Sequence, residues 1–213
     1  MNLNAPKQLL ASLAIGAALT LTATSCTIQP ASTPSESAVE ASQTSELSIV
    51  TEDDFNKALS LVTSEFDDFD ESTSWEMKVS PSFFESAMVY MVVYTYETGD
   101  PITYVVANYF DDDWIFFDTL EVRAGGETYV LMQVESYDKY TDVLDGGRVN
   151  EVGLQLVGLY EELAIQALID DPDAKFRLSG SDGTVEREFT LRERNTFQTL
   201  FTIHKGLQQG LTP

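Results

Sequence analysis

Asp111-Asp112-Asp113-Trp114-Ile115-Phe116-Phe117-Asp118-Thr119-Leu120-Glu121-Val122-Arg123 is the stretch on which the reading of this chain turns. A turn of three aspartates leads into the most aromatic strand candidate in the sequence, with Trp114, Phe116 and Phe117 nearly side by side. Aromatic and β-branched residues suit a pleated, half-buried surface, and rings of this size anchor cores. The stretch predicts a strand over Trp114–Arg123 with Trp114 as a core anchor. Alternate residues of a strand share a face, which would set Asp118 beside Trp114, Phe116, Leu120 and Val122.

Working toward the N-terminus, Ala87–Tyr96 alternates clearly. Met88, Tyr90, Val92, Tyr94 and Tyr96 fall on one side, and Ala87, Val89, Met91 and Val93 on the other. Glu97–Pro101 is a turn, Thr103–Phe110 returns as the partner strand, and Trp75–Ser80 is a shorter candidate. Further back, Thr51 reads as a helix N-cap with acids in the first turn, and Phe55, Leu59, Val62 and Phe66 recur at helical spacing. That helix is expected to give way in Asp67–Glu71. Those acids are calcium-ligand types, but they lack the glycine and terminal glutamate spacing of an EF-hand, so a solvated loop is the favoured reading.

Toward the C-terminus, Gly125-Gly126 links to a strand over Glu127–Val134, and Asp145-Gly146-Gly147 makes a tight turn before Val149–Val157. The period then changes. Leu159, Leu163 and Ala167, with Tyr160 and Ala164 beside them, describe a helix that must stop by Asp171, before Pro172. Lys175–Leu178 and Thr184–Phe189 pair as a hairpin across Gly180–Gly183. Thr190 and Glu193 form a capping box that opens a final helix with Phe197, Leu200, Phe201 and His204 on one face. Strands gathered in a meander with helices set apart predict an α+β fold: an antiparallel sheet with helices on one side, one of them N-terminal and one C-terminal.

Asp113-Trp114-Ile115-Phe116-Phe117, the Gly146-Gly147 turn with Glu151, and Phe176-Arg177-Leu178-Ser179-Gly180 resemble the pattern of a family of uncharacterised bacterial proteins. Its members carry an Asp-Trp-Leu-Phe strand, a glycine hairpin, a helix, an Arg-Phe/Leu-x-Gly strand and a closing helix. The resemblance covers roughly residues 105–209 and departs at Ile115, Phe117 and the acidic stretch Tyr137–Asp145. It implies the fold and no activity.

The N-terminus reads as targeting rather than structure. Lys7 precedes an apolar run from Leu9 to Leu21, which ends in Leu21-Thr22-Ala23-Thr24-Ser25-Cys26. That ending resembles the lipobox of bacterial lipoproteins, whose cysteine thiol takes a diacylglycerol. The resemblance implies a leader over residues 1–25, lipidation at Cys26 and an extracytoplasmic, membrane-attached protein. The other reading is an ordinary secretory signal with an accidental cysteine. Cys26 is the single cysteine, so no disulfide forms within the chain. Residues 26–50, rich in Ser, Thr, Ala and Pro, read as a disordered tether with an r.m.s. span of ~25–30 Å, and residues 51–213 as one domain.

Chemistry is constrained by scarcity. The net charge is −23, which repels polyanions, so nucleic acid is not an expected partner. The one histidine, His204, lies on an apolar helical face, where a packed histidine is commoner than a catalytic base. No serine elbow, phosphate loop or zinc spacing is present, and no cofactor or metal is expected. Only carboxylates remain for acid–base work, and Asp118 and Glu151 are the candidates for a glycosidase-like pair. Against them stand blander readings: a bulge that turns Asp118 to water, or an ordinary capped acid.

Two features suggest binding. Tyr90, Tyr94 and Tyr96, joined by Tyr104 across the hairpin, could stack on a sugar or anchor a protein, unless that face lies under a helix. Lys175, Arg177, Arg187, Arg192, Arg194 and Lys205 cluster late in the chain, for internal salt bridges or for an anion. The favoured expectation is a surface-tethered, non-catalytic binding module whose partners are the membrane, through its anchor, and an extracytoplasmic protein or glycan. The alternatives are a carboxylate hydrolase and a solute-binding lipoprotein.

Overall fold

A computed structural model describes residues 49–77, 86–96, 100–134, 139–144 and 146–213. Cys26, the expected leader and nearly all of the expected tether lie outside the described residues, which fall within one compact unit, Glu46–Pro213. The elements run α1 (Glu52–Leu59), β1 (Thr63–Asp67), β2 (Ser72–Glu76), β3 (Ala87–Tyr96), β4 (Ile102–Asp111), β5 (Phe117–Ala124), β6 (Glu127–Gln133), β7 (Tyr140–Val143), β8 (Val149–Leu156), α2 (Leu159–Asp170), β9 (Lys175–Gly180), β10 (Thr184–Glu188) and α3 (Leu191–Gln208).

The fold is α+β, with all strand pairs antiparallel. The strands form two sheets rather than one meander: a six-stranded sheet in the order β1-β2-β3-β4-β8-β7 and a four-stranded sheet in the order β10-β9-β5-β6. One core joins them. The inner faces of β3 and β4 (Val89, Met91, Val93, Val105, Ala107) share one cluster with Phe55 of α1, Ile165 and Leu168 of α2 and Phe197, Leu200 and Ile203 of α3; α3 packs on β3, α1 packs on α3, and α2 packs on α3 and β5. Phe117, Leu120, Val122, Phe176 and Leu178 close the same core from the smaller sheet. At Gly153 of β8 the two sheets come so close that an added Cβ would lie 2.9 Å from Met132 Sδ and 3.0 Å from the Phe117 ring.

Capping fixes where the helices begin. Thr51 Oγ1 accepts the Asp54 N–H at 3.1 Å. Thr190 and Glu193 form the reciprocal box, at 3.2 and 2.9 Å. Glu193 does more than cap. It is 2% exposed, accepts Arg187 Nη1 and Nη2 at 2.8 and 2.6 Å, and accepts the Val89 N–H of β3 at 3.3 Å. One buried carboxylate thereby joins α3, β10 and β3.

Several expectations are corrected. The first helix stops at Leu59, eight residues in, and Thr63–Asp67 pairs with β2 as a strand, leaving Phe66 64% exposed. The continuation of the helical stripe through Val62 and Phe66 competes with the β-branched pair Val62-Thr63, which favours a ladder, and strand pairing wins. The strand expected from Trp75 begins earlier, at Ser72, and β2 runs over Ser72–Glu76; residues 78–80 of the expected Trp75–Ser80 lie outside the described residues. Helix α2 buries Ala164, Ile165 and Leu168, whereas Leu159 and Leu163, expected on the packed face, are 74% and 51% exposed. An apolar helix carries more than one stripe at helical spacing, and the sequence does not say which faces the core.

Candidate functional site

Residues 111–123 turn a corner between the sheets. β4 pairs with β8 instead of continuing into a hairpin with β5, and residues 112–116 carry the chain across. Trp114, Ile115 and Phe116 are not strand; β5 begins at Phe117. The reason is Glu151, on β8 opposite Tyr109. Its Oε1 accepts the N–H groups of Ile115 and Phe116 at 2.9 and 2.8 Å, and its Oε2 accepts that of Phe117 at 2.9 Å. These are donors that a β4–β5 ladder would otherwise have satisfied. Lys139 Nζ completes the arrangement, donating to Oε2 at 3.0 Å and to Phe117 O at 2.7 Å. Glu151 is 0% exposed.

The same corner settles the aromatic residues. Phe116 takes φ of 49°, a conformation bulky residues rarely adopt, and its ring turns outward at 43% exposure to stack on Trp114 at 5.5 Å. Trp114 is half-buried, and Phe117, fully buried, is the true anchor. A register irregularity between Phe117 and Thr119 then leaves Asp118 exposed, where it accepts the Thr119 hydroxyl at 2.7 Å. The two candidate carboxylates are therefore not brought together. Asp118 meets water, and Glu151 is sealed and occupied by backbone donors.

His204 is 2% exposed and belongs to a polar network that no sequence signal announced beyond the histidine itself. Its Nδ1 lies 2.9 Å from Thr103 Oγ1 and its Nε2 3.1 Å from Glu162 Oε1. Lys205 and Gln208 also donate to Glu162, at 2.8 and 2.9 Å. Hydroxyl, imidazole and carboxylate in sequence have the composition of a nucleophilic triad, but Thr103 is 1% exposed and no substrate could reach it. Burial holds the histidine pKa below its ordinary value, against the pull of Glu162. Burial also opposes ionisation of Glu162, but the bonds from Lys205, Gln208 and His204 together hold its carboxyl below the usual range.

The basic cluster resolves largely into ion pairs. Lys175 and Arg177 both bind Glu186, whose carboxyl they hold down to about 2, and Arg177 reaches Glu121 at 3.5 Å. Arg187 serves Glu193, and Lys205 serves Glu162. Among the described residues no group of three or more His, Cys, Asp or Glu is placed to hold a metal ion. Asp67–Glu71 makes the β1–β2 turn, with the Phe69 N–H on Asp67 Oδ1 at 3.0 Å and the Phe69 ring 91% exposed.

The tyrosines do come together. Tyr90, Tyr94 and Tyr96 project from the face of β3 opposite Val89, Met91 and Val93, and Tyr104 joins them from β4. Tyr94 and Tyr104 meet edge to face at 6.1 Å. Neither these four nor Met88, Val92 and Val106 on the same face belong to the core that the three helices fill. Tyr96 is 37% exposed and the other three tyrosines are half-buried. Burial, and after it the neighbouring Glu76 carboxylate, raises the phenol of Tyr90 to about 12 and that of Tyr94 above its ordinary value. Tyr96 also borders an open depression with Phe66, Glu71, Thr73 and Thr95, of which Thr95 and its partners Thr73 and Phe66 belong to the other face of the sheet, that of Val93.

No family model, no curated protein and no solved structure matches this chain.

Proposed function

We propose that this chain is an extracytoplasmic lipoprotein, held to the membrane through Cys26, whose domain binds a protein or glycan and turns over no substrate. The binding residues are Tyr90, Tyr94, Tyr96 and Tyr104. The observation that carries this reading is their common position on the outer face of the six-stranded sheet, away from the helix-filled core. Aromatic rings that are partly open and do not serve the core are suited to anchoring a partner. The placement of the carboxylates supports binding over hydrolysis: Asp118 is exposed, Glu151 sealed.

The test is a screen of the full-length chain against a panel of polysaccharides for both binding and turnover. Binding without hydrolysis, weakened by Tyr94→Ala with Tyr96→Ala at an unchanged melting temperature, is expected. Hydrolysis lost in Asp118→Asn would overturn the reading in favour of a carboxylate glycosidase.

A further inference from the structure

The outer face of the six-stranded sheet changes character from strand to strand. Across the β3–β4–β8 ladder, Tyr94 stands opposite Ile102, Tyr104 opposite Leu156, and Val106 opposite Leu154. Leu154 and Leu156 are 40% and 54% exposed. The tyrosine row thus continues into leucine on β8. On its other side, at the end of β2, stands the exposed Glu76, which follows Trp75, the register partner of Val93, and so falls on the face of Val92, Tyr90 and Tyr94. In the same face Asn108 sits in register between Met88 and Val152, with its Oδ1 buried and without a hydrogen-bond partner.

We infer that the occupant of this face is a cationic polypeptide segment bearing leucine-like side chains. This rests on the tyrosine face being the binding face, and it decides between protein and glycan. Exposed leucines offer a sugar neither a flat ring nor a polar partner, but they suit apolar side chains leaving water. A net charge of −23 and Glu76 at the edge of the band favour an approaching cation. They equally oppose a second copy of this chain, which would bring the same charge.

The experiment is fluorescence anisotropy of the full-length chain with four labelled probes: a leucine–lysine amphipathic peptide, its leucine–glutamate and serine–lysine counterparts, and a chitin oligosaccharide. The leucine–lysine peptide should bind, the leucine–glutamate peptide should not, and the serine–lysine peptide should bind at least ~10-fold more weakly. Leu154→Ser with Leu156→Ser should weaken the leucine–lysine complex by roughly 30-fold. Glu76→Gln should weaken it about two- to fivefold and lessen its salt dependence. Oligosaccharide binding that is lost in Tyr94→Ala with Tyr96→Ala but kept in the leucine variant would overturn this inference and leave the tyrosine face standing. Peptide binding unchanged in both double variants would mean charge-driven association elsewhere and overturn both. Failure of all four probes overturns the cationic-segment inference.

Discussion

The Glu151 carboxylate accepts the N–H of Phe116 at 2.8 Å, and that bond sits at the point where the chain passes from one sheet to the other. With the bonds to Ile115 and Phe117 it fixes a backbone that Phe116, at φ of 49°, would not adopt unaided. A carboxamide keeps one accepting oxygen but turns an NH2 toward the donors of the other, the Phe117 N–H and Lys139 Nζ. Glu151→Gln is expected to cost about 3–5 kcal/mol in denaturant titration, the range for breaking a buried pair from one side. Lys139→Met should cost less, because the carboxylate keeps its backbone donors. The reverse order would place the corner's stability in the ion pair.

Gly180 lies against the same corner. A Cβ there would come within 2.3 Å of the carbonyl oxygens of Ile115 and Phe116, which are backbone atoms with no rotamer to escape into. Gly180→Ala should destabilise by at least about 2–3 kcal/mol. Gly183→Ala, whose nearest neighbour is the Ile115 side chain at 2.8 Å, should cost less. Equal melting temperatures for the two variants would mean the corner shifts more freely than its bonds suggest.

Phe117 and Trp114 separate the two readings of the aromatic stretch. Phe117 is 0% exposed, so Phe117→Ala should cost about 3–5 kcal/mol. Half-buried Trp114, stacked on an exposed ring, should cost distinctly less. Matching losses in chemical denaturation would restore Trp114 as the anchor.

Much of this fold was legible because local chemistry and global structure agree. The Thr51 and Thr190 caps, the Gly125-Gly126 turn and the alternation of β3 all say locally what the fold does globally. What stayed hidden depends on partners distant in sequence. Nothing near Trp114 says that Glu151, thirty-odd residues on, will take its neighbours' amides, so the chain reads as one strand and one meander. The same holds for α2, where Leu159 and Ile165 are equally apolar and only the packing partner decides which is buried. The tyrosine row was readable, since period-two alternation assigns faces directly. Its continuation into Leu154 and Leu156 required knowing that β4 pairs with β8.

Acidification should act through His204. Burial, the largest influence, lowers its folded pKa below the unfolded value, so the unfolded chain binds the proton more readily. Its contribution to stability is full above the ordinary histidine pKa of about 6.5 and is lost as pH falls through the folded value. Glu162, held below its usual range, stays ionised in that interval and loses its contribution only at lower pH. Denaturant midpoints from about pH 7.5 down to about pH 5 should fall more steeply in the wild type than in His204→Gln. Parallel slopes would remove His204 from the pH response.

The most direct measurement concerns the sheet face in its working environment. A membrane-impermeant tyrosine-modifying reagent can be applied to intact cells and to the purified full-length chain, with Tyr96, Tyr94 and Tyr104 quantified against Tyr160. Tyr160 lies on α2, is 48% exposed and serves as the internal reference. A binding face that is occupied at the cell surface predicts labelling of Tyr160 in both samples and protection of Tyr96, Tyr94 and Tyr104 on cells alone. Equal labelling of all four in both samples would contradict it.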